Sequence, residues 1–190
     1  MNIYNVCVAA TPHRQDGGIS QVGLDQHARW AVPAAIATLV IAADQVSKAW
    51  IVHNLGPETM TRFVAVVGDT ARIVYSHNTG IAFSLFQGMP QVLTVTGLAI
   101  VVGAIYFYVT QLPNRHPFVQ VILGLIVGGA FGNLIDRVRL GYVVDFIQVG
   151  WFPVFNLADS AITVGAALLM FQFLREEIAQ RRDDRPVVSQ

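Results

Sequence analysis

Apolar residues in this chain fall into four long blocks, and polar and charged positions return only between them. The first block covers residues 30–52 and carries Asp44 and Lys48, four apart and therefore on one helical face. The second, residues 92–109, and the third, residues 118–135, contain no charge. The fourth ends at Leu174, before Arg175. Crossing ~30 Å of hydrocarbon takes roughly 17 residues or more, and counting back from Leu174 places its start near Leu157. Asp159 then lies just inside the end of that helix. The pattern predicts four membrane-spanning helices, at 30–52, 92–109, 118–135 and 157–174.

The segments between the blocks follow another rhythm. Residues 53–90 mix Val, Ile, Phe and Tyr with polar positions, and Gly68-Asp69-Thr70 reads as a turn between two strands. This predicts a small antiparallel sheet on the membrane surface, with a second break at Asn78-Thr79-Gly80. Residues 1–28 include Pro12, Gly17 and Gly18 among polar residues and lack the pattern of a signal peptide, so a mobile tail is expected there. Residues 176–190 are expected to start as an amphipathic helical extension and fray at Asp183-Asp184-Arg185-Pro186. The membrane unit would thus occupy residues 29–175.

Composition agrees with this architecture. The 190 residues are 54% hydrophobic and 13% charged, and the mean hydropathy is +0.52. That is too apolar for an ordinary soluble domain of this length. Twelve basic and twelve acidic residues leave no bulk charge for nucleic acid. One cysteine, Cys7, gives no intrachain disulfide framework. His13, His27, His53, His77 and His116 are dispersed, so no metal site is expected. Arg14, Arg29, Arg115, Arg175, Arg181, Arg182 and Arg185 lie on one side of the spans, and Arg62, Arg72, Arg137 and Arg139 on the other. Positive charge favours the inner side, so both termini are expected in the cytoplasm, with residues 53–90 and 136–156 outside.

Candidate chemistry concentrates in residues 128–160, GGAFGNLIDRVRLGYVVDFIQVGWFPVFNLADS. Asp136, Asp145 and Asp159 lie there at membrane level, where an uncompensated carboxylate costs several kcal/mol. Two carboxyls in a dry site repel each other, so one keeps a proton while the other ionises, and together they supply an acid and a base. Arg137 and Arg139 beside Asp136 suggest an ion pair that positions the loop. Asp145 and Asp159 have apolar surroundings and suit a shared proton. Equally open from the residues alone, Asp159 is only a helix cap and Asp145 a solvated loop residue. Asp44 and Lys48 read as an intrahelical pair that lowers the cost of both charges. Lys48 is the sole lysine, so a Ser–Lys protease using Ser47, Ser76, Ser84 or Ser160 is also conceivable. Gly124, Gly128 and Gly132 put small residues at every fourth position of the third span, as close helix packing requires.

Four motifs in order, ADQVSK, HNTGIAFS, GGAFGNLIDRVRLGYVVDF and FPVFNLADSAITVG, resemble those of prolipoprotein signal peptidase, or signal peptidase II, across residues 30–174. The resemblance implies a bacterial inner-membrane aspartic endopeptidase with Asp145 and Asp159 as its catalytic dyad and no cofactor. It assigns Asn78, Asn133, Arg137 and Asn156 to the substrate-facing site, with Asp44, Lys48, Asp136 and Gly132 in support. The implied reaction is cleavage just before a lipobox cysteine that already carries diacylglycerol, at the extracytoplasmic face. Its partners would be lipidated prolipoproteins, membrane lipids and globomycin-type inhibitors. Two other classes compete: a proton-coupled transporter, which favours midplane charges and repeats, and a membrane scaffold without catalysis.

Overall fold

The computed structural model describes residues 18–56, 63–68, 70–79, 90–112 and 116–183. In chain order the elements are α1 (Gly18–Leu55), β1 (Val64–Val67), β2 (Ala71–Asn78), α2 (Pro90–Thr110), α3 (Pro117–Leu140), β3 (Val143–Val149) and α4 (Leu157–Asp183). The stretches Arg29–Leu55, Pro117–Leu140 and Leu157–Arg182 are long and apolar enough to cross a membrane. At 1.5 Å per residue the 24 residues of α3 reach about 36 Å, beyond ~30 Å of hydrocarbon. The remaining helix, α2, is apolar over the shorter stretch Thr94–Thr110 among the described residues.

Two boundaries differ from expectation. The first helix begins at Gly18, inside the stretch expected to be a mobile tail. Polar residues 18–28 are no bar to helix when they continue one already set by an apolar span. The third helix runs on to Leu140, so Asp136 and Arg137 lie on its last turns. Its limits are written locally. His116 caps the start, its Nδ1 accepting from the Phe118 N–H at 3.2 Å, and Pro117 occupies the first turn. Gly141, at φ +81°, closes the end and donates its N–H to the Arg137 carbonyl at 3.1 Å. Helix α4 is continuous through Asp183; residues 1–17, Asp69, Gly80 and residues 184–190 lie outside the described residues, and with them the fraying expected beyond Asp183.

Small residues let the helices approach, since in lipid close van der Waals contact replaces hydrophobic burial as the driving force. A Cβ on Gly128 would lie 2.9 Å from the Ala37 Cα, and one on Gly124 2.6 Å from the Ile36 Cβ. Gly129 faces the other way, against the Ala158 carbonyl of α4. The third helix is therefore the spine, with α1 on one side and α4 on another.

The expected hairpin forms, and β3 joins it as a third strand. The sheet is antiparallel in the order β1-β2-β3. Ser76 stands opposite Asp145 and Asn78 opposite Val143. After β3, Gly150 turns the chain at φ +52° and donates its N–H to the Thr70 carbonyl at 2.7 Å. The returning chain is pinned at Phe155, whose carbonyl accepts from the Phe146 and Ile147 N–H groups at 3.0 and 2.8 Å. Ile51 and Leu55 at the end of α1 pack on Val144 and Phe146, seating the sheet on the bundle. Burying each such side chain is worth about 1.5–3 kcal/mol where the alternative is water.

Candidate active site

Three structural boundaries meet beneath the sheet: the end of α3, the strand β3 and the start of α4. Asn156 stands just before α4, and its side-chain oxygen accepts from the Asp159 N–H at 2.9 Å. The Asp159 carboxylate accepts in return from the Asn156 N–H at 3.3 Å. This is a reciprocal capping box, encoded locally by NLAD. Asp159 is thus a cap, as one reading allowed, but its other oxygen is engaged as well. Asn133 of α3 donates to it through Nδ2 at 2.7 Å.

Asp145 is buried, at 2% exposure, which removes the solvated-loop alternative. It sits on β3 between two amides. Asn78 donates to its Oδ2 at 2.9 Å and Asn156 to its Oδ1 at 2.7 Å. The first contact follows from register: Asn78 is two residues beyond Ser76, the partner of Asp145, and so is its diagonal neighbour on the same face. Asn156 therefore serves both carboxyls, Asp145 through its side chain and Asp159 through its backbone. Burial and the nearby Asp159 charge push the Asp145 carboxyl up to about 7, and the bonds from Asn78 and Asn156 only partly offset this.

A second charged cluster lies directly behind. Lys48 Nζ donates to Asp44 Oδ2 at 2.8 Å, Asp136 Oδ2 at 2.9 Å and Asn133 Oδ1 at 3.0 Å. The intrahelical Asp44–Lys48 pair is present, but Asp136 pairs with Lys48 and not with Arg137 or Arg139. The reason is direction: residues adjacent in a helix point about 100° apart, so Asp136 turns to α1 while Arg137 turns to the aspartates. The three N–H bonds of Lys48 are taken by these partners, and none is directed to a serine among the described residues, as a Ser–Lys pair would need. Asp136 Oδ2 also accepts from the Val144 N–H at 3.1 Å, tying α3 to β3 one residue from Asp145. Asp44 Oδ1 accepts from the Ala158 N–H at 3.0 Å, adding a remote anion at the α4 N-terminus. Gly132 makes room: a Cβ there would lie 2.7 Å from Asp44 Oδ2 and 3.2 Å from the Ala158 Cβ.

All ten residues singled out from the sequence fall in this region. Asn133 and Asn156, expected to face substrate, are buried and commit their amides to the two aspartates and to each other, Asn156 Nδ2 donating to Asn133 Oδ1 at 3.1 Å. Arg137 is half-buried and close enough to interact electrostatically with Asp159, Asp145 and Asp136, without an ion pair to any of them among the described residues. Gln45 was not singled out. Its Nε2 donates to Asp136 Oδ1 at 3.0 Å and the Gly132 carbonyl at 3.1 Å, and its place inside the DQxxK motif was the signal available.

Helices long and apolar enough to cross a membrane, with buried Asp145 on β3 and half-buried Asp159 at the start of α4 joined through Asn156, define the class: a membrane protein with a two-carboxylate site. Comparison with known proteins is specific. The Signal peptidase (SPase) II family profile matches residues 36–175. The chain is similar to the lipoprotein signal peptidase of Moorella thermoacetica, 44% identical over 150 residues, covering 78% of this chain and 96% of that one. It is likewise similar to that of Chlorobium phaeobacteroides, 39% identical over 151 residues, 73% of this chain and 93% of the other. A bacterial membrane enzyme solved by the in meso method at 2.3 Å superposes with a TM-score of 0.69 at 30% identity, over 82% of this chain and 93% of that one. The chain belongs to the signal peptidase II family and is a peptidase of the aspartic type.

Proposed function

We propose that Asp145 and Asp159 are the catalytic dyad with which this peptidase removes the signal peptide from diacylglyceryl-modified prolipoproteins. The bond hydrolysed is the one before the lipidated lipobox cysteine. The observation that carries the assignment is Asn156, which holds one carboxyl by its amide at 2.7 Å and the other by its backbone N–H at 3.3 Å. Two acids fixed to a common residue at the rim of the spans can act on one scissile bond, one as base and one as acid. Lipid chain and signal helix partition beside the spans, which delivers that bond to the depth of the dyad.

Four spans with both termini in the cytoplasm fit this chemistry. The α2 helix has 21 residues, about 31 Å at 1.5 Å each, enough to cross when its first turn is counted. The β3–α4 turn carries Trp151, 89% exposed, against Phe152 with ring centroids 6.3 Å apart, as expected of an interfacial aromatic rim on the outer side. Arg137, whose guanidinium has no hydrogen-bond acceptor among the described residues, is the residue best placed to bind the substrate backbone or a developing oxyanion. Asn78, Asn133 and Asn156 orient the dyad. Globomycin-type inhibitors would occupy this same site.

The test is cleavage of a lipidated lipobox peptide in detergent, followed by mass spectrometry with and without globomycin. Asp145→Asn and Asp159→Asn should each abolish cleavage while leaving a folded, membrane-inserted protein. Cleavage retained by either variant rejects the dyad. A proton flux into proteoliposomes that Asp159→Asn abolishes would support the transporter reading instead.

A further inference from the structure

The two carboxyls are held differently, and the difference leads back to Lys48. We propose that Lys48 is a positioning residue that acts through Asn133 to make Asp159 the ionised member of the dyad and leave the proton on Asp145. The inference rests on the dyad assignment above. An amide side chain has one accepting and one donating end. The Lys48 ammonium, which can only donate, takes the Asn133 oxygen at 3.0 Å, and Asn156 Nδ2 donates to the same oxygen at 3.1 Å. The Asn133 nitrogen is thereby forced to point at Asp159 Oδ1, 2.7 Å away, as a donor. A donor so oriented, with a cation bound to its own oxygen, favours a carboxylate over a carboxylic acid.

Asp159 is favoured as the anion by its backbone setting as well. It is the third residue of α4, accepts a backbone N–H, and feels the positive end of the helix dipole. The charged groups around it are Asp44 and Lys48 from α1, Asp136 and Arg137 from α3, and Asp145 from β3. Asp44 and Asp136 are each paired with Lys48, at 2.8 and 2.9 Å. Asp145 has neither helix dipole nor ammonium-bound amide. Its partners are the neutral amides of Asn78 and Asn156, and its carboxyl, pushed up to about 7, is available as an acid at neutral pH.

The chemistry then has a direction. Water adds its oxygen to the scissile carbonyl carbon, one water proton passes to Asp159, and the carbonyl oxygen takes the proton of Asp145. The product of that step is a neutral gem-diol. On collapse the C–N bond breaks, the proton held by Asp159 goes to the departing nitrogen, and a gem-diol hydroxyl returns its proton to Asp145. Both side chains end as they began.

The test variant is Lys48→Met combined with Asp136→Asn, which removes one charge of each sign and leaves Asp44 to cap α4. The readout is the pH profile of kcat/KM on lipidated peptide in detergent. The acidic limb, which reports ionisation of Asp159, should move up by about one pH unit or more as the oriented donor is lost. A fall in rate with an unmoved acidic limb would mean that Lys48 is only structural and would overturn the proposal, while inactivity of both dyad Asn variants would still uphold the dyad. Infrared spectra of 13C-aspartate protein give an answer independent of turnover. At neutral pH the wild-type protein should show a protonated carboxyl band that Asp145→Asn lacks. A band surviving in Asp145→Asn places the proton on Asp159 and overturns the assignment.

Discussion

Asn156 does more than any other uncharged residue here: it caps α4, donates to Asp145 and touches Asn133, while fully buried. Replacing it by Ala removes the cap and strands a buried acceptor, each worth about 1–2 kcal/mol. Asn156→Ala should lower the unfolding temperature in detergent and reduce kcat at least about a hundredfold, as expected when oriented acid–base groups are lost. Asp145 carries a pH signature of its own. Its carboxyl sits at about 7 in the folded protein against 3.8 ordinarily, so between those values the folded state holds a proton that the unfolded chain has released. Its contribution to stability is therefore greatest below pH 3.8 and declines as pH rises toward 7. Asp145→Asn should consequently be inactive yet more heat-stable than wild type at pH 7. Equal or lower stability there would contradict the burial argument. Asn78→Ala should shift the alkaline limb of the activity profile upward, because the bond it removes favours ionised Asp145.

Among the elements, α3 is the one whose surface sets the geometry of the others. Its glycines are not equivalent. Gly124 meets Ile36 far from the aspartates, whereas Gly132 meets Asp44 and Ala158 beside them. Gly132→Ala should therefore cost about 1–3 kcal/mol by overpacking and also lower kcat, as Asp44 and the α4 start are pushed apart. Gly124→Ala should affect unfolding temperature with much less effect on kcat. Thermal unfolding and peptide cleavage measured on both variants separate the two. The glycine spacing was legible in the sequence as helix packing; the partner of each glycine was not, because spacing along one helix says nothing about which helix fills the groove. The hairpin of β1 and β2 was legible through its turn residues, but β3 reads locally as an apolar run around Asp145, and its pairing with β2 joins residues such as Asn78 and Val143, remote in sequence.

For the molecule as a whole, Asp44, Lys48, Asp136, Arg137, Asp145 and Asp159 gather at one end of the bundle, under the sheet. That end is the outer face if the arginine asymmetry sets the orientation. In a Cys7→Ser background, a cysteine placed at Thr70 should react with a membrane-impermeant maleimide on intact spheroplasts, and one placed at Ala179 only after permeabilisation. The reverse pattern would invert the topology and put the dyad on the wrong side for exported lipoproteins.

By itself the sequence determined the apolar spans, the hairpin, the α4 cap and the residue types at the site, because hydropathy, turn chemistry and capping depend on neighbours within a few positions. The reading of Asp136 by its adjacent arginines failed for the same reason: adjacency in a helix is not proximity of side chains. Only the tertiary structure decided that Lys48 takes Asp136 and Asn133, that Asn156 joins the two carboxyls, and that Gln45 belongs to the cluster. Lys48 and Asn133 are 85 positions apart, and Gln45 and Asp136 are 91. Which of several polar groups meet across such separations is fixed by the packing of α1, α3 and α4, where a buried charge is stable only if the other helices bring it partners.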